Sequence, residues 1–107
     1  MNTLQKGSVR YIVFKDRQLW YAVGLEFNIV ESGSSPEEAR LLLFEALQGY
    51  VEAARKAKLR PMVLNQKADH EYEKMWTASV EKRSNANNKI YSAGVFNLNK
   101  NRVSSVA

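Results

Sequence analysis

Apolar residues gather in three short stretches near the start of the chain, and polar residues separate them. Residues 9–15 are rich in β-branched and aromatic types and carry apolar groups on both faces of a strand, which favours an interior position. Residues 19–25 are continuously apolar, with Gly24 marking a bulge or bend, and residues 27–31 alternate. The short polar links predict three antiparallel neighbouring strands.

The next residues show helical periodicity, and the predicted helix begins at Ser35-Pro36-Glu37-Glu38. Ser35 is a good N-cap, Pro36 suits the first helical position, and the Glu38 side chain can reach back to the Ser35 N–H, forming a capping box. Positions spaced by three and four predict an apolar stripe to about residue 58: Ala39, Leu43, Leu47, Tyr50 and Ala54. Three neighbours widen the stripe into a face suited to a sheet: Leu42, Ala46 and Ala53.

Pro61 ends this helix, and residues 62–64 read as a short strand that returns to the sheet. The first part of the chain is therefore predicted to be β-β-β-α-β, an α+β fold with a small, mostly antiparallel sheet and a long helix on one face. Residues 71–83 show helical spacing, with Tyr72, Met75 and Trp76 suited to docking that helix on the body. A loop at 84–88, a strand at 89–98 and a polar tail follow.

This pattern predicts a core at residues 1–65 and a C-terminal extension at residues 66–107. The extension is expected to add a helix and a strand, either packed on the core or exchanged with a second subunit.

Composition narrows the functional classes. The chain has no cysteine, which excludes disulfides and thiolate metal sites, and its single histidine, His70, excludes a histidine metal cluster within one chain. No apolar run approaches the ~18 residues of a membrane span, and no signal-peptide core is present. We expect a soluble, cytoplasmic protein without a cofactor.

The charge of +5 comes from 16 Lys and Arg against 11 Asp and Glu, and it is spread along the chain. A dispersed positive charge is compatible with nucleic-acid binding but does not establish it. A basic nucleic-acid-binding module therefore stays open as an alternative function.

Catalytic chemistry finds little support in the sequence. Two-metal hydrolysis needs several carboxylates that converge from strands, and the first strand offers none between residues 9 and 14. His70 lies in a polar segment with no nucleophile motif beside it, so a surface position is the better interpretation. We predict no enzyme activity and no catalytic or metal-binding residues.

Two runs of spaced residues resemble the HicB antitoxin family: Tyr21-Ala22-x-x-Leu25-Glu26-Phe27-Asn28-Ile29-Val30-x-x-Gly33-x-Ser35-x-Glu37-Glu38-Ala39 and Glu45-Ala46-Leu47-x-x-Tyr50-x-Glu52. The similarity covers about residues 8–64. It implies a partial RNase H-like fold without nuclease activity, which binds a small basic HicA-like toxin and covers its active-site histidine. It also implies a dimer or higher homo-oligomer. An orphan protein that keeps this fold without a toxin is a further alternative.

Family members often repress their own operon through a C-terminal helix-turn-helix or ribbon-helix-helix module. Residues 66–107 read as helix then strand, which fits neither module. Operator binding is therefore not predicted from this sequence.

Residues 26–32 are the predicted partner-binding segment, with Glu26, Phe27, Asn28 and Glu31 as the candidate contacts. Polar positions alternate there with buried ones on a possible edge strand, whose unpaired backbone groups can accept a partner strand. A solvated strand edge is the alternative. Four carboxylates could also form a local acidic rim at the strand ends: Asp16, Glu26, Glu31 and Glu37.

Overall fold

A computed structural model describes residues 2, 7–59, 61–80, 90–98 and 103–105. Its strands are β1 (Ser8–Asp16), β2 (Leu19–Gly24), β3 (Ile29–Gly33), β4 (Ile90–Asn97) and β5 (Val103–Ser105). Its helices are α1 (Pro36–Ala57) and α2 (His70–Val80), with a 3-10 turn at Pro61–Leu64 between them. All strand pairs are antiparallel, in the order β3-β2-β1-β4-β5. The predicted α+β class is confirmed.

The central strand β1 has both faces covered, as its pattern predicted. Val9, Tyr11 and Val13 pack toward α1, whereas Ile12 and Phe14 pack toward α2. All five are buried because the sheet lies between the two helices. The result is a layered domain in which β1 contributes to both halves of the core.

Gly24 is explained by the close approach of α1. A Cβ atom at Gly24 would lie 2.8 Å from Leu47 Cδ2 and 3.3 Å from Val9 Cγ1. Of the predicted bulge or bend at this glycine, the bulge is absent because the pairing of β1 with β2 is regular, and β2 ends at Gly24 where the chain turns at residues 25–28. The register shift occurs instead between β1 and β4, at Val13 and Phe14.

The predicted start of α1 is confirmed, with one change of partner. Ser35 Oγ accepts a hydrogen bond from the Glu38 N–H at 3.1 Å, and Pro36 occupies the first helical position. The Glu38 carboxylate accepts from the Ser34 N–H at 2.7 Å, one residue before the N–H we expected. The N-terminus is thus capped by a reciprocal pair that includes the residue before the cap.

The buried stripe of α1 is narrower than predicted. Its buried residues are Ala39, Leu43, Leu47, Val51 and Ala54. Tyr50 is half-buried and Ala53 is exposed, while Leu42 retains 39% of its surface. Half-buried Phe44 and Tyr50 also pack against the core beside this stripe, but the predicted widening at Leu42 and Ala53 is wrong.

The strand predicted at residues 62–64 is a 3-10 turn, so this part of the β-β-β-α-β order is corrected. The position beside β1 is taken by β4, which pairs from Ser8↔Asn97 to Phe14↔Ile90. Side chains satisfy the turn's carbonyls instead: the Tyr50 hydroxyl donates to Val63 O at 2.7 Å. The Asn2 amide likewise donates to Leu64 O at 2.8 Å. Leu64 is fully buried, so this short apolar run packs into the core.

The described residues of the C-terminal extension, 66–80, 90–98 and 103–105, pack on the core. Helix α2 spans His70–Val80, and residues 81–83 of the predicted helix and the loop at 84–88 lie outside the described residues. The predicted strand at 89–98 is confirmed as β4, and residues 103–105 of the expected polar tail pair with it as β5.

Candidate partner-binding edge

Strand β3 forms one outer edge of the sheet. It pairs with β2 from Trp20↔Gly33 to Gly24↔Ile29, and no strand within the described residues pairs with its other side. An edge of this kind presents backbone N–H and C=O groups that a partner strand can bond. The structure therefore confirms that the strand within residues 26–32 lies at an edge of the sheet.

The predicted strand starts two residues later than expected, because residues 25–28 form a turn. The Asn28 N–H donates to Leu25 O at 3.2 Å, and Asn28 has a left-handed φ of 55°. Asparagine adopts this conformation more readily than most residues. The turn places the Asn28 side chain in solvent at the start of β3.

Side chains along β3 alternate between the two faces of the sheet. Glu31 lies opposite Ala22 on the α1 side and is half-buried. Val30 lies opposite Val23 on the α2 side and remains 43% exposed. The edge thus offers a carboxylate on one face and an exposed apolar side chain on the other.

Glu26 lies in the turn rather than on the strand, and its carboxylate is already bonded. Its two oxygens accept from the Arg10 N–H at 2.8 Å and from Arg10 Nε at 2.5 Å. The other guanidinium nitrogens of Arg10 donate to Glu73 on α2 at 3.0 and 2.8 Å. The Trp76 ring lies 5.6 Å from the guanidinium carbon. We name this set, Arg10, Glu26, Glu73 and Trp76, the Arg10 network.

Electrostatics within the Arg10 network favour the charged guanidinium. Partial burial lowers the pKa of Arg10, but the hydrogen bonds and charges of Glu73 and Glu26 raise it by more. The Glu26 backbone carbonyl also accepts from the Gln66 N–H at 2.6 Å. Glu26 therefore joins β1, the turn and α2, and the exposed parts of the edge lie at residues 28–32.

Phe27 lies beneath the edge rather than on it. Its side chain is buried, and its ring centroid lies 4.7 Å from that of Tyr50. The Tyr50 hydroxyl in turn anchors the 3-10 turn and accepts from the Gln66 side-chain amide at 2.8 Å. Phe27 thus supports the start of β3 from the α1 side.

The junction of β3 with α1 brings the helix close to the strand's end. A Cβ atom at Gly33 would lie 2.8 Å from Glu38 Oε1 and 2.9 Å from the Ala39 nitrogen. A larger residue at position 33 would therefore push the capped end of α1 away from β3.

The predicted acidic rim is divided between two ends of the sheet. Asp16 pairs with Leu19 at one end, where β3 finishes and α1 begins with Glu37. Glu26 lies at the opposite end, in the turn after Gly24. The strand register separates these carboxylates, so the rim of four is wrong.

Charge is unevenly distributed between the described residues and the rest. The described residues include nine Lys and Arg against ten Asp and Glu, whereas the remaining residues include seven Lys and Arg against one Glu. The described residues, which include β3, are therefore nearly neutral in net charge. The positive excess lies elsewhere in the sequence.

No group of three or more His, Cys, Asp or Glu side chains in the described part of the chain is placed to hold a metal ion. His70 is exposed at the start of α2. Within the same residues, no helix is both long and apolar enough to cross a membrane.

Comparison with protein-family models, with curated proteins and with solved structures found no significant match for this chain.

The sequence reasoning missed the Arg10 network. Its partners lie 16 and 63 residues from Arg10, so no local spacing connects them. One signal was present: Arg10 is a charged residue between the apolar residues Val9 and Tyr11 of an interior strand, and a charge in that position requires partners.

Proposed function

We propose that this chain is a HicB-like antitoxin of the cytoplasm, which masks a small basic HicA-like toxin and performs no catalysis itself. The observation that carries the proposal is the outer edge of β3, which pairs with no strand of the described residues and lies where the chain resembles the family. Masking requires a binding surface and no reacting groups.

The chemistry of the edge suits a partner that brings a strand and positive charge. Backbone groups of β3 would bond the partner strand, and Val30 would lose exposed apolar surface. Glu31 would face a Lys or Arg of the toxin, and Asn28 would supply side-chain hydrogen bonds. Glu26 and Phe27 act in the proposal by fixing the turn that begins the edge.

The nearly neutral charge of the described residues supports this assignment over a basic module. A toxin rich in Lys and Arg would meet the carboxylate of Glu31 at this edge. Following the resemblance, we also propose that the protein forms a homo-oligomer. Light scattering after size-exclusion chromatography tests this, and a monomer at all concentrations would contradict it.

The test begins with genes that neighbour the one encoding this chain. A short neighbouring gene for a basic protein is expressed under an inducible promoter, with and without this chain. We expect arrested growth from the neighbour alone, recovery on co-expression, and a complex that survives nuclease treatment. If instead the chain retains only nucleic acid, and loses it steeply as salt rises, the basic-module alternative replaces the proposal.

Paired charge reversals locate the interface. Glu31→Lys should weaken the complex and abolish the growth recovery, because it places a like charge opposite the toxin's basic side chains. Glu45→Lys is the matched control, since Glu45 is an exposed glutamate that lies on α1 and not on β3. Equal loss in both variants, or in neither, would contradict the assignment of the β3 edge.

A further inference from the structure

A cavity of about 300 Å³ lies on the α2 side of the sheet, between the β1–β2 hairpin and the start of α2. Three aromatic rings line it, those of Phe14, Tyr21 and Tyr72. The Phe14 and Tyr21 rings stack with centroids 5.7 Å apart and an angle of 24°. The Tyr72 ring centroid lies 6.2 Å from that of Phe14. We call this the aromatic pocket.

The remaining lining residues of the aromatic pocket add negative charge and one thioether. Asp16 and Glu71 contribute exposed carboxylates, and Met75 of α2 completes the lining with Lys15. Burial raises the pKa of Tyr72, and the negative charges of Asp69 and Glu71 raise it further. The negative charges around this pocket therefore disfavour the binding of an additional anion.

Lys15 does not neutralise the pocket with its ammonium group. Its Nζ lies 5.7 Å from the centroid of the Trp20 ring. Trp20 pairs with Lys15 across the hairpin and packs against the cluster on the α1 side, so the ammonium is directed to the opposite face of the sheet.

Aromatic ring faces and carboxylates attract the same kind of ligand, namely a cation with an apolar or planar body. A guanidinium can stack on a tyrosine ring while it bonds a carboxylate, and an alkylammonium can lie over the ring face. A bare metal ion would lack the oxygen ligands it needs, since no cluster of three such side chains occurs in the described residues.

We propose that the aromatic pocket binds an organic cation of the guanidinium or alkylammonium class, either as a free small molecule or as an Arg or Lys side chain of a polypeptide. The rings of Tyr21 and Tyr72 contact the body of the cation, and Asp16 and Glu71 bond its charged head. The pocket lies on β1, β2 and α2, away from the outer side of β3, so it does not depend on the masking function.

The experiment is a titration of the full-length, ¹⁵N-labelled protein followed by amide NMR shifts. Butylguanidinium is the cation, and N-butylurea is its neutral counterpart of nearly equal shape. We expect saturable shifts at residues 14–16, 21 and 71–75, with a Kd on the order of millimolar. The urea should bind roughly tenfold more weakly. Equal shifts from both compounds, or none from either, would overturn the proposal.

A second arm separates the two sources of the cation. The peptide acetyl-Gly-Arg-Gly-amide carries the same guanidinium on a backbone. Binding at least as tight as that of butylguanidinium assigns the pocket to a polypeptide side chain, and exclusion of the peptide assigns it to a free small molecule. Both results retain the assignment of the pocket to an organic cation, and each identifies the source of that cation.

Variants test the two kinds of contact separately. Tyr72→Leu should weaken butylguanidinium roughly tenfold, whereas the matched Tyr72→Phe retains the ring and the affinity. Asp16→Asn with Glu71→Gln should weaken it about as much. The carboxylate variant keeps the test valid if loss of the ring disturbs the fold, since both carboxylates are exposed. Unchanged affinity in the carboxylate variant would overturn the proposal, and Glu45→Gln should change nothing.

Discussion

The two faces of the sheet are held by different forces. On one face, the 22-residue helix α1 packs its buried stripe of aliphatic side chains against the sheet, mainly over β2 and β3. On the other, the 11-residue helix α2 has only Ser79 buried among its own residues and touches the sheet with half-buried Tyr72, Met75 and Trp76. Buried apolar side chains attach α1 to the sheet. Helix α2 is attached by partly buried side chains together with the ion pair of Arg10 with Glu73.

This difference has a consequence for stability. Apolar burial is not weakened by charge screening, while an ion pair whose side chains are 30% and 38% exposed is screened by salt. We therefore expect the α1 side to set the global stability and the α2 side to open first. The aromatic pocket lies on the α2 side of the sheet, whereas the edge strand β3 packs against α1.

The largest expected effect comes from truncating the α1 stripe. Leu43→Ala should lower the free energy of unfolding by about 3 kcal/mol, because Leu43 is fully buried and its loss leaves a cavity. Leu41→Ala is the matched control, since Leu41 is 61% exposed on the same helix, and should change it by less than about 0.5 kcal/mol. Urea denaturation followed by circular dichroism measures both.

A similar loss in Leu41→Ala would mean that α1 docks through a different face than the one described. A small loss in Leu43→Ala would show that the α1 side does not dominate the stability.

The Arg10 network gives an intermediate effect that should be confined to the α2 side. Glu73→Gln removes one charged partner of Arg10 and should cost about 1–2 kcal/mol. Hydrogen exchange should accelerate in α2 while the amides of α1 keep their protection, and added salt should shrink the difference from wild type. Glu71→Gln makes the same change on the same helix without touching Arg10.

Uniform acceleration across both helices in Glu73→Gln would contradict the separation of the two sides. It would show that α2 unfolds only together with α1.

The same contrast explains what the sequence could predict. The cap at Ser35, the stripe around Leu43 and the apolar strand β1 depend on residues close in sequence, and all three were predicted. The three-residue run at 62–64 was assigned to the wrong element, because short apolar runs suit a strand and a buried turn equally. Its real partners, Tyr50 and Asn2, come from distant parts of the chain.

The candidate site likewise has features that the sequence could predict and features that it could not. The edge position of β3 follows from local hairpins, so it could be predicted. The engagement of Glu26 by Arg10 could not, because it depends on how the turn after β2 folds back on β1. The aromatic pocket requires α2 to cross the sheet near the β1–β2 hairpin, and no local pattern in the sequence specifies that crossing.

The smallest expected effect is a pH dependence that compares a tyrosine from each face. Burial raises the pKa of Tyr11 on the α1 side, although the charge of Arg40 opposes this, and burial also raises the pKa of Tyr72 on the α2 side. A tyrosine whose pKa is raised on folding contributes stability that is fully present below its unfolded pKa of about 10. That contribution is lost as pH rises through the folded pKa.

We therefore expect stability to fall above about pH 10, and to fall less steeply in Tyr11→Phe and in Tyr72→Phe than in wild type. Urea midpoints measured from pH 8 upward test this, because the deprotonation of lysines is common to all three proteins and cancels in the comparison. Tyr72 is half-exposed and lies on the side that opens first, so its hydroxyl should ionise in the folded protein. Tyr11 is almost fully buried and should ionise only as the whole domain unfolds. Ultraviolet difference spectra separate these two steps, and simultaneous ionisation of both tyrosines would show that the two faces open as one unit.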